Sequence, residues 1–89
     1  MSYFVYIIQS EKQGIYYKGF TENPQQRLIE HNSDKSRYTK NKGPWEMVFL
    51  NKVSTKREAL IEEKRLKRLN TASIQQMIFS ASNIIRKYF

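Results

Sequence analysis

The sequence predicts an α/β (α+β) fold, a small three-stranded antiparallel sheet flanked by helices in the order β-β-α-β-α-α. Three features support this fold class. Aromatic and β-branched runs alternate with polar turns near the N-terminus. Helix-capping residues precede the longer segments of mixed polarity. Eighty-nine residues leave little room for a second core, so we expect 1–89 to form one domain that ends in a helix and tail over 70–89.

The strands are predicted from local composition. Residues 3–9 and 15–20 are rich in aromatic and β-branched side chains, and a polar turn over 10–13 joins them. So short a connection predicts an antiparallel hairpin in which Gln9 pairs with Gly14. Tyr6 then stands opposite Tyr17 on the same face of the sheet. Residues 45–52 predict the third strand.

The helices are predicted from their first turns. Asn23 can cap a helix that Pro24 begins and that runs to about Asn32. Thr55 and Glu58 form a capping-box pattern, which predicts a second helix over about 55–69. A third helix is expected from about residue 71.

Composition and charge narrow the function classes. Sixteen Lys and Arg against eight Asp and Glu give a formal net charge of +8, which favours nucleic acid as a partner over a surface kept basic for solubility. The absence of cysteine excludes disulfides and cysteine-bound zinc, and a single histidine argues against a His-rich metal cage. We see no signal peptide and no run of about 20 apolar residues, so we expect a cytoplasmic protein in a reducing compartment without membrane contact.

The first candidate site residues lie on the hairpin. Tyr6 and Tyr17 place two phenols side by side, an arrangement that is also explained by an aromatic pair that only stabilises the hairpin. Strand alternation puts Tyr16 and Lys18 on the opposite face from Tyr17. Gly19, beside Tyr17, leaves either space for a ligand to approach or a bend that leads into the first helix.

The helices contribute the remaining candidates. Arg27 and His31 lie four residues apart on one helix face, where Arg can grip a phosphate and His can relay a proton, although both could be solvated surface residues. Glu63 falls on the inward, apolar stripe of the second helix, where its carboxylate needs either a cation such as Mg²⁺ or an ion pair with Lys or Arg. This set of side chains suits metal-assisted cleavage of a phosphodiester.

These residues, in this order, resemble the GIY-YIG nuclease superfamily over about residues 3–68. The first name-giving tripeptide corresponds to Phe4-Val5-Tyr6 and the second to Tyr17-Lys18-Gly19, whereas the literal Gly14-Ile15-Tyr16 is a coincidence of letters. Arg27, His31 and Glu63 fall at the family's helix positions. The chain is most similar to short stand-alone members that resemble the N-terminal nuclease domain of the C component of excinuclease ABC.

The resemblance implies the GIY-YIG endonuclease fold and a metal-dependent DNA endonuclease of low sequence specificity, selective for DNA structure, in repair or recombination. Glu63 would hold Mg²⁺ or Mn²⁺, Tyr6 would be the general base, Tyr17 would position water or phosphate, Arg27 would stabilise charge, and His31 would assist proton transfer. As a base, Tyr6 needs a pKa lowered by nearby cations. We expect contacts with the DNA backbone from Lys18, Lys35, Arg37, Lys40, Lys42, Lys64 and Lys67.

Two other functions stay open from the sequence. The chain could be a non-catalytic nucleic-acid-binding module, or a protein-interaction domain whose tail exposes Ile84, Ile85, Tyr88 and Phe89. No small-molecule cofactor is expected. A protein partner for targeting and the oligomeric state are left open.

Overall fold

The computed structural model describes residues 2–89 and confirms the predicted order of elements and the fold class. The elements are β1 (Tyr3–Ser10), β2 (Tyr16–Thr21), α1 (Pro24–Asn32), β3 (Trp45–Val53), α2 (Lys56–Lys67), α3 (Thr71–Ile78) and a C-terminal 3₁₀ turn (Ile85–Lys87). Within residues 2–89, every helix is too short or too polar to cross a membrane.

Side-chain caps fix where the three α-helices begin. Asn23, Thr55 and Asn70 each accept a hydrogen bond from the backbone N–H three residues further on, at 3.1, 3.1 and 2.9 Å. Each cap satisfies a donor that the first helical turn leaves unpaired. The predicted starts of α1 and α2 are therefore confirmed, while α2 ends at Lys67, two residues before the predicted end.

The sheet has the strand order β2-β1-β3, and both neighbouring pairs are antiparallel. Because β1 is the central strand, both of its faces are covered, and its residues 4–8 are all buried. This explains why the segment reads as a continuous apolar run rather than an alternating one.

The predicted hairpin register is wrong by two residues. Tyr6 pairs with Gly19, and Tyr17 pairs with Ile8. The four-residue turn lies one position later than expected, because the Ser10 N–H donates to the Ile15 carbonyl at 2.9 Å and the chain turns through positions 11–14 instead of 10–13. A shift of two residues leaves every side chain on its predicted face.

The two faces of the sheet carry separate clusters of hydrophobic side chains. We call the side covered by α1 and the C-terminal tail the α1 face, and the side covered by α2 and α3 the α2–α3 face. The buried residues of the α1 face are Phe4, Tyr6, Ile8, Trp45, Met47 and Leu50. Those of the α2–α3 face are Val5, Ile7, Phe49, Ala59, Leu66 and Ile74.

The C-terminal tail covers part of the α1 face. Ile84, Ile85 and Tyr88 pack against its buried cluster, and the Tyr88 ring meets Phe4 edge-on with centroids 5.1 Å apart. Phe89 remains half exposed. Three of the four tail residues expected to form an exposed apolar patch are thus used in packing, which weakens the case for a protein-interaction domain built on this tail.

Candidate active site

The centre of the candidate site is the close approach of Tyr6 to Gly19. A Cβ added at Gly19 would lie 2.5 Å from the Tyr6 Oη and 2.7 Å from its Cζ, closer than non-bonded atoms approach. The expectation that Gly19 leaves room for a ligand is therefore wrong. The missing side chain makes room for the Tyr6 ring of the paired strand.

A chain of hydrogen bonds runs from Tyr6 through His31 to Thr39. The Tyr6 Oη lies 2.8 Å from His31 Nε2, and His31 Nδ1 lies 2.7 Å from Thr39 Oγ1. All three side chains are buried, with Tyr6 only 1% exposed and the other two 0% exposed. His31 is thus a core residue with both ring nitrogens paired, and the alternative of a solvated surface histidine is wrong.

Burial keeps both ionisable groups of this chain neutral. It lowers the pKa of His31 to about 4 and raises the pKa of Tyr6 to about 12. The positive charge of Arg27 lowers the Tyr6 pKa, as expected for a nearby cation, but by less than burial raises it. Arg27 alone therefore does not bring the Tyr6 pKa below its ordinary value.

Two arrangements of protons satisfy a neutral His31. In the first, the Tyr6 O–H donates to Nε2 and the Nδ1–H donates to Thr39 Oγ1. In the second, the Thr39 O–H donates to Nδ1 and the Nε2–H donates to the Tyr6 oxygen. The two arrangements differ in which ring nitrogen carries the hydrogen, and only in the first does Tyr6 donate to His31.

Tyr17 joins the same cluster from the neighbouring strand. Its ring meets His31 edge-on with centroids 5.4 Å apart, and the Tyr6 and His31 centroids are 5.8 Å apart. Tyr17 is only partly buried, so it is the more accessible of the two phenols. Lys18 pairs with Ile7 and so lies on the α2–α3 face, as strand alternation predicted.

Arg27 lies one helical turn before His31 on α1. Its Nη1 donates to Glu30 Oε1 at 2.8 Å, and both side chains are about one-third exposed. This partner holds the pKa of Glu30 below its usual range. Arg27 remains close enough to Tyr6 for its charge to act on the phenol, and it has a solvent-facing side.

Glu63 is mostly buried, as its place on the apolar stripe of α2 predicts. Its side chain is 16% exposed, and its Oε1 accepts a hydrogen bond from Lys67 Nζ at 3.1 Å. Of the two partners that the sequence left open, an ion pair is the one present. The negative charge of Glu63 also contributes to the raised pKa of Tyr6, which places this carboxylate within electrostatic reach of the phenol.

The carboxylate of Glu63 suits a divalent cation only if water and substrate complete the coordination. Residues 2–89 contain no group of three or more His, Asp or Glu side chains that could hold a metal ion. Mg²⁺ commonly uses one or two carboxylates together with waters and phosphate oxygens. The Lys67 end of the pair is 55% exposed and screened by solvent, so the pair contributes about 1 kcal/mol or less and a cation could replace Lys67 at little cost.

The predicted cations of the loop between α1 and β3 are Lys35, Arg37, Lys40 and Lys42. All four are exposed on the solvent-facing side of that loop. Lys64 and Lys67 are exposed on α2, although Lys67 is already paired with Glu63. The structure therefore places the predicted nucleic-acid-binding residues on three surfaces, with Lys18 on the α2–α3 face.

Thr39 and Asn32 are the residues that sequence reasoning missed. Thr39 lies in the loop between α1 and β3, and nothing in the sequence pairs it with His31, eight residues earlier. Asn32 joins the two ends of the loop between α1 and β3. Its Oδ1 accepts a hydrogen bond from the Trp45 N–H at 2.6 Å, and its Nδ2 donates one to the Trp45 carbonyl at 3.1 Å.

The fold and this cluster define a small α/β protein with a tyrosine–histidine site on one face of a three-stranded sheet. The profile of the family described as the GIY-YIG catalytic domain matches residues 2–76. The chain belongs to the GIY-YIG family, whose catalytic domain is a nuclease domain.

The relatives of the chain are short proteins of similar length. UPF0213 protein OB0043 of Oceanobacillus iheyensis is 38% identical over 68 residues, which cover 75% of this chain and 78% of that protein. UPF0213 protein VNG_2274C of Halobacterium salinarum is 36% identical over 69 residues, covering 76% and 88%. The solution structure of UPF0213 protein BH0048 from Bacillus halodurans superimposes with a TM-score of 0.58 at 28% identity, covering 96% of this chain and 90% of that one.

Proposed function

We propose that this protein is a divalent-metal-dependent endonuclease that hydrolyses a phosphodiester bond of DNA. The observation that carries the proposal is the buried chain Tyr6–His31–Thr39, with Arg27 close enough to act on the Tyr6 phenol. Three fully buried, mutually hydrogen-bonded polar side chains are costly unless all are satisfied. Here all three are satisfied, and the same hydrogen bonds give the Tyr6 phenol a proton acceptor at His31 Nε2.

Tyr6 and His31 act as one base in this proposal. With a pKa of about 12, the free phenolate of Tyr6 amounts to on the order of one molecule in 10⁵ at pH 7. Tyr6 therefore takes a proton from the attacking water while it passes its own proton to His31 Nε2. The bond from the water oxygen to phosphorus forms, the bond from phosphorus to the leaving oxygen breaks, and the leaving oxygen takes up a proton from bulk water while His31 holds the proton from Tyr6.

Tyr17 and Arg27 handle the phosphate. Both are partly exposed, so a phosphate that approaches the cluster meets them before it meets Tyr6. Tyr17 positions the water or a phosphate oxygen, and the Arg27 guanidinium stabilises the negative charge that develops on phosphorus oxygens. Thr39 holds the His31 ring so that Nε2 stays directed at Tyr6.

Glu63 would hold Mg²⁺ or Mn²⁺ beside the scissile phosphate once Lys67 has moved away. A cation there supplies charge stabilisation for the phosphate and lowers the pKa of nearby water and phenol. The family to which the chain belongs and the lone, mostly buried carboxylate support this assignment.

The basic surfaces support binding through the DNA backbone. Contacts from lysine and arginine to phosphates give affinity without sequence choice, so we expect selectivity for DNA shape, such as a nick or flap, and a role in repair or recombination. The cations of the α1–β3 loop and of α2 are exposed and can contact the DNA backbone. Lys18 would contact DNA only where it bends around the edge strand β2.

The test is metal-dependent nicking of flapped and nicked DNA by the purified full chain. Glu63→Gln should reduce nicking by at least about 100-fold while DNA binding stays within a few-fold of wild type. Glu62→Gln is the matched control, because Glu62 is the adjacent carboxylate and is paired with Arg65 instead. Equal nicking by the wild type and Glu63→Gln would contradict the proposal.

A second function is favoured by the burial of the site. Tyr6 is 1% exposed, and the Glu63 carboxylate already has a cationic partner. Both facts suit a non-catalytic DNA-binding module that uses these residues only for its structure. DNA retention without cleavage, across Mg²⁺ and Mn²⁺ and across branched substrates, would support this function over the nuclease.

A further inference from the structure

A turn in the α1–β3 loop presents two side chains to solvent between two buried ones. Ser36 and Thr39 are buried, and the Thr39 N–H donates to the Ser36 carbonyl at 3.3 Å. The two central residues, Arg37 and Tyr38, point away from the core, and Tyr38 is 67% exposed. Aromatic rings are usually buried at least in part, which removes their apolar surface from water, and the Tyr38 ring at the tip of this turn is not.

Hydrogen bonds on both sides keep this turn in place. The Ser10 hydroxyl donates to the Lys42 carbonyl at 2.6 Å, and the Lys42 N–H donates to the Thr39 carbonyl at 3.2 Å. The Asn41 N–H donates to Asp34 Oδ1 at 3.0 Å. Hydrogen bonds therefore hold the loop that carries Tyr38 in place. When a ligand stacks on the Tyr38 ring, little free energy is lost in ordering this loop.

The surroundings of Tyr38 are basic. Four cations lie on the same loop, Lys35, Arg37, Lys40 and Lys42, against one carboxylate, Asp34. An exposed aromatic ring within a basic surface is the combination by which proteins bind single-stranded nucleic acid, with cations along the phosphates and the ring against a base. Phe79 is 88% exposed, but residues 76–83 around it contain no charged side chain.

Tyr38 is also tied to the candidate active site. The next residue, Thr39, contacts His31, and His31 contacts Tyr6. A base stacked on Tyr38 would therefore belong to a nucleotide that is close, along the DNA strand, to the phosphate bound at the Tyr6–His31–Thr39 chain. We propose that Tyr38 stacks on an unpaired base and so selects DNA with a single-stranded segment next to the cleaved bond, an inference that rests on the proposed nuclease function for its place in the reaction.

The inference is tested by binding alone, with EDTA present so that no cleavage occurs. The full chain is titrated into a fluorescein-labelled thymidine oligonucleotide and, separately, into a duplex of equal length, and anisotropy is measured. Tyr38→Ala should weaken single-strand binding by roughly 5- to 150-fold, the range for one stacked base, and change duplex binding by less than about twofold. Tyr38→Phe should bind like the wild type.

Phe79→Ala is the matched control, and it should leave binding to both DNAs unchanged. Circular dichroism melts of each variant check that the fold is intact. The inference is overturned if Tyr38→Ala weakens both DNAs equally, if it weakens neither, or if the wild type binds no single-stranded DNA. Nicking by the wild type is scored separately, so a protein that binds single-stranded DNA through Tyr38 without cutting it fails the nuclease proposal and keeps the stacking role of Tyr38.

Discussion

Gly19→Ala is the substitution whose effect follows most directly from the structure. The new methyl group would lie 2.5 Å from the Tyr6 Oη and 2.7 Å from Cζ. Tyr6 is 1% exposed and bonded to His31 at 2.8 Å, so its ring cannot swing into solvent to make room. Either the strands separate or the ring tilts away from His31.

The expected cost follows from these two responses. Overpacking of a filled core costs about 1–3 kcal/mol. If the ring tilts far enough to break its bond to His31, two buried polar groups lose a partner, which adds about 1–3 kcal/mol. In a domain of this size, each kcal/mol lowers the melting temperature by roughly 4–8 °C.

The assay is urea unfolding followed by circular dichroism, arranged as a double-mutant cycle with Tyr6→Leu. Leucine carries no atom at the Oη or Cζ positions, so Gly19→Ala should cost much less in that background. We expect a coupling energy of about 1 kcal/mol or more. If Gly19→Ala costs the same in both backgrounds within about 0.5 kcal/mol, the reasoning from the close approach is refuted.

Three further predictions concern the hydrogen-bonded chain. Thr39→Val removes the oxygen that pairs with Nδ1 and should lower the free energy of unfolding by about 1–3 kcal/mol, whereas Thr39→Ser should cost less; equal stability of the two variants in urea would contradict the pairing. His31 is the single histidine, so its NMR signals should titrate near pH 4. The unfolded chain takes up this proton at about pH 6.5, whereas the folded protein does so only near pH 4. The free energy of unfolding should therefore fall by on the order of 3 kcal/mol as the pH drops from 6.5 to 4. An NMR titration midpoint near pH 6.5 would show that the His31 ring is solvated. For nicking rates normalised to folded protein, Tyr6→Phe should cost more than Tyr17→Phe, and the reverse order would assign the base to the more accessible phenol.

Side-chain direction was predictable from the sequence, and strand register was not. Alternation along the strands correctly placed Tyr17 on one face and Lys18 on the other. The pairing partner depends on where along the chain the turn lies, and Gly14, with a φ of 75°, is the last residue of a turn that lies one position after the polar run. The error of two residues changed the neighbour of Tyr6 from Tyr17 to Gly19, and with it the meaning of that glycine.

The protonation of the site was not predictable, because it depends on burial. The sequence indicates which cations lie near Tyr6 but not how completely the core and α1 enclose the phenol. The structure shows that burial outweighs Arg27 in setting the Tyr6 pKa. In the same way, the helix pattern correctly placed Glu63 on the apolar stripe, but it could not choose between a metal ion and Lys67 as partner.

The proposed metal site is tested most directly in a crystal of the full chain soaked with Mn²⁺ and measured at a wavelength where manganese scatters anomalously. We predict one strong peak at the Glu63 carboxylate, with Lys67 displaced. A peak bound elsewhere would contradict the metal-dependent mechanism. So would an intact Glu63–Lys67 pair at Mn²⁺ concentrations that support nicking in solution.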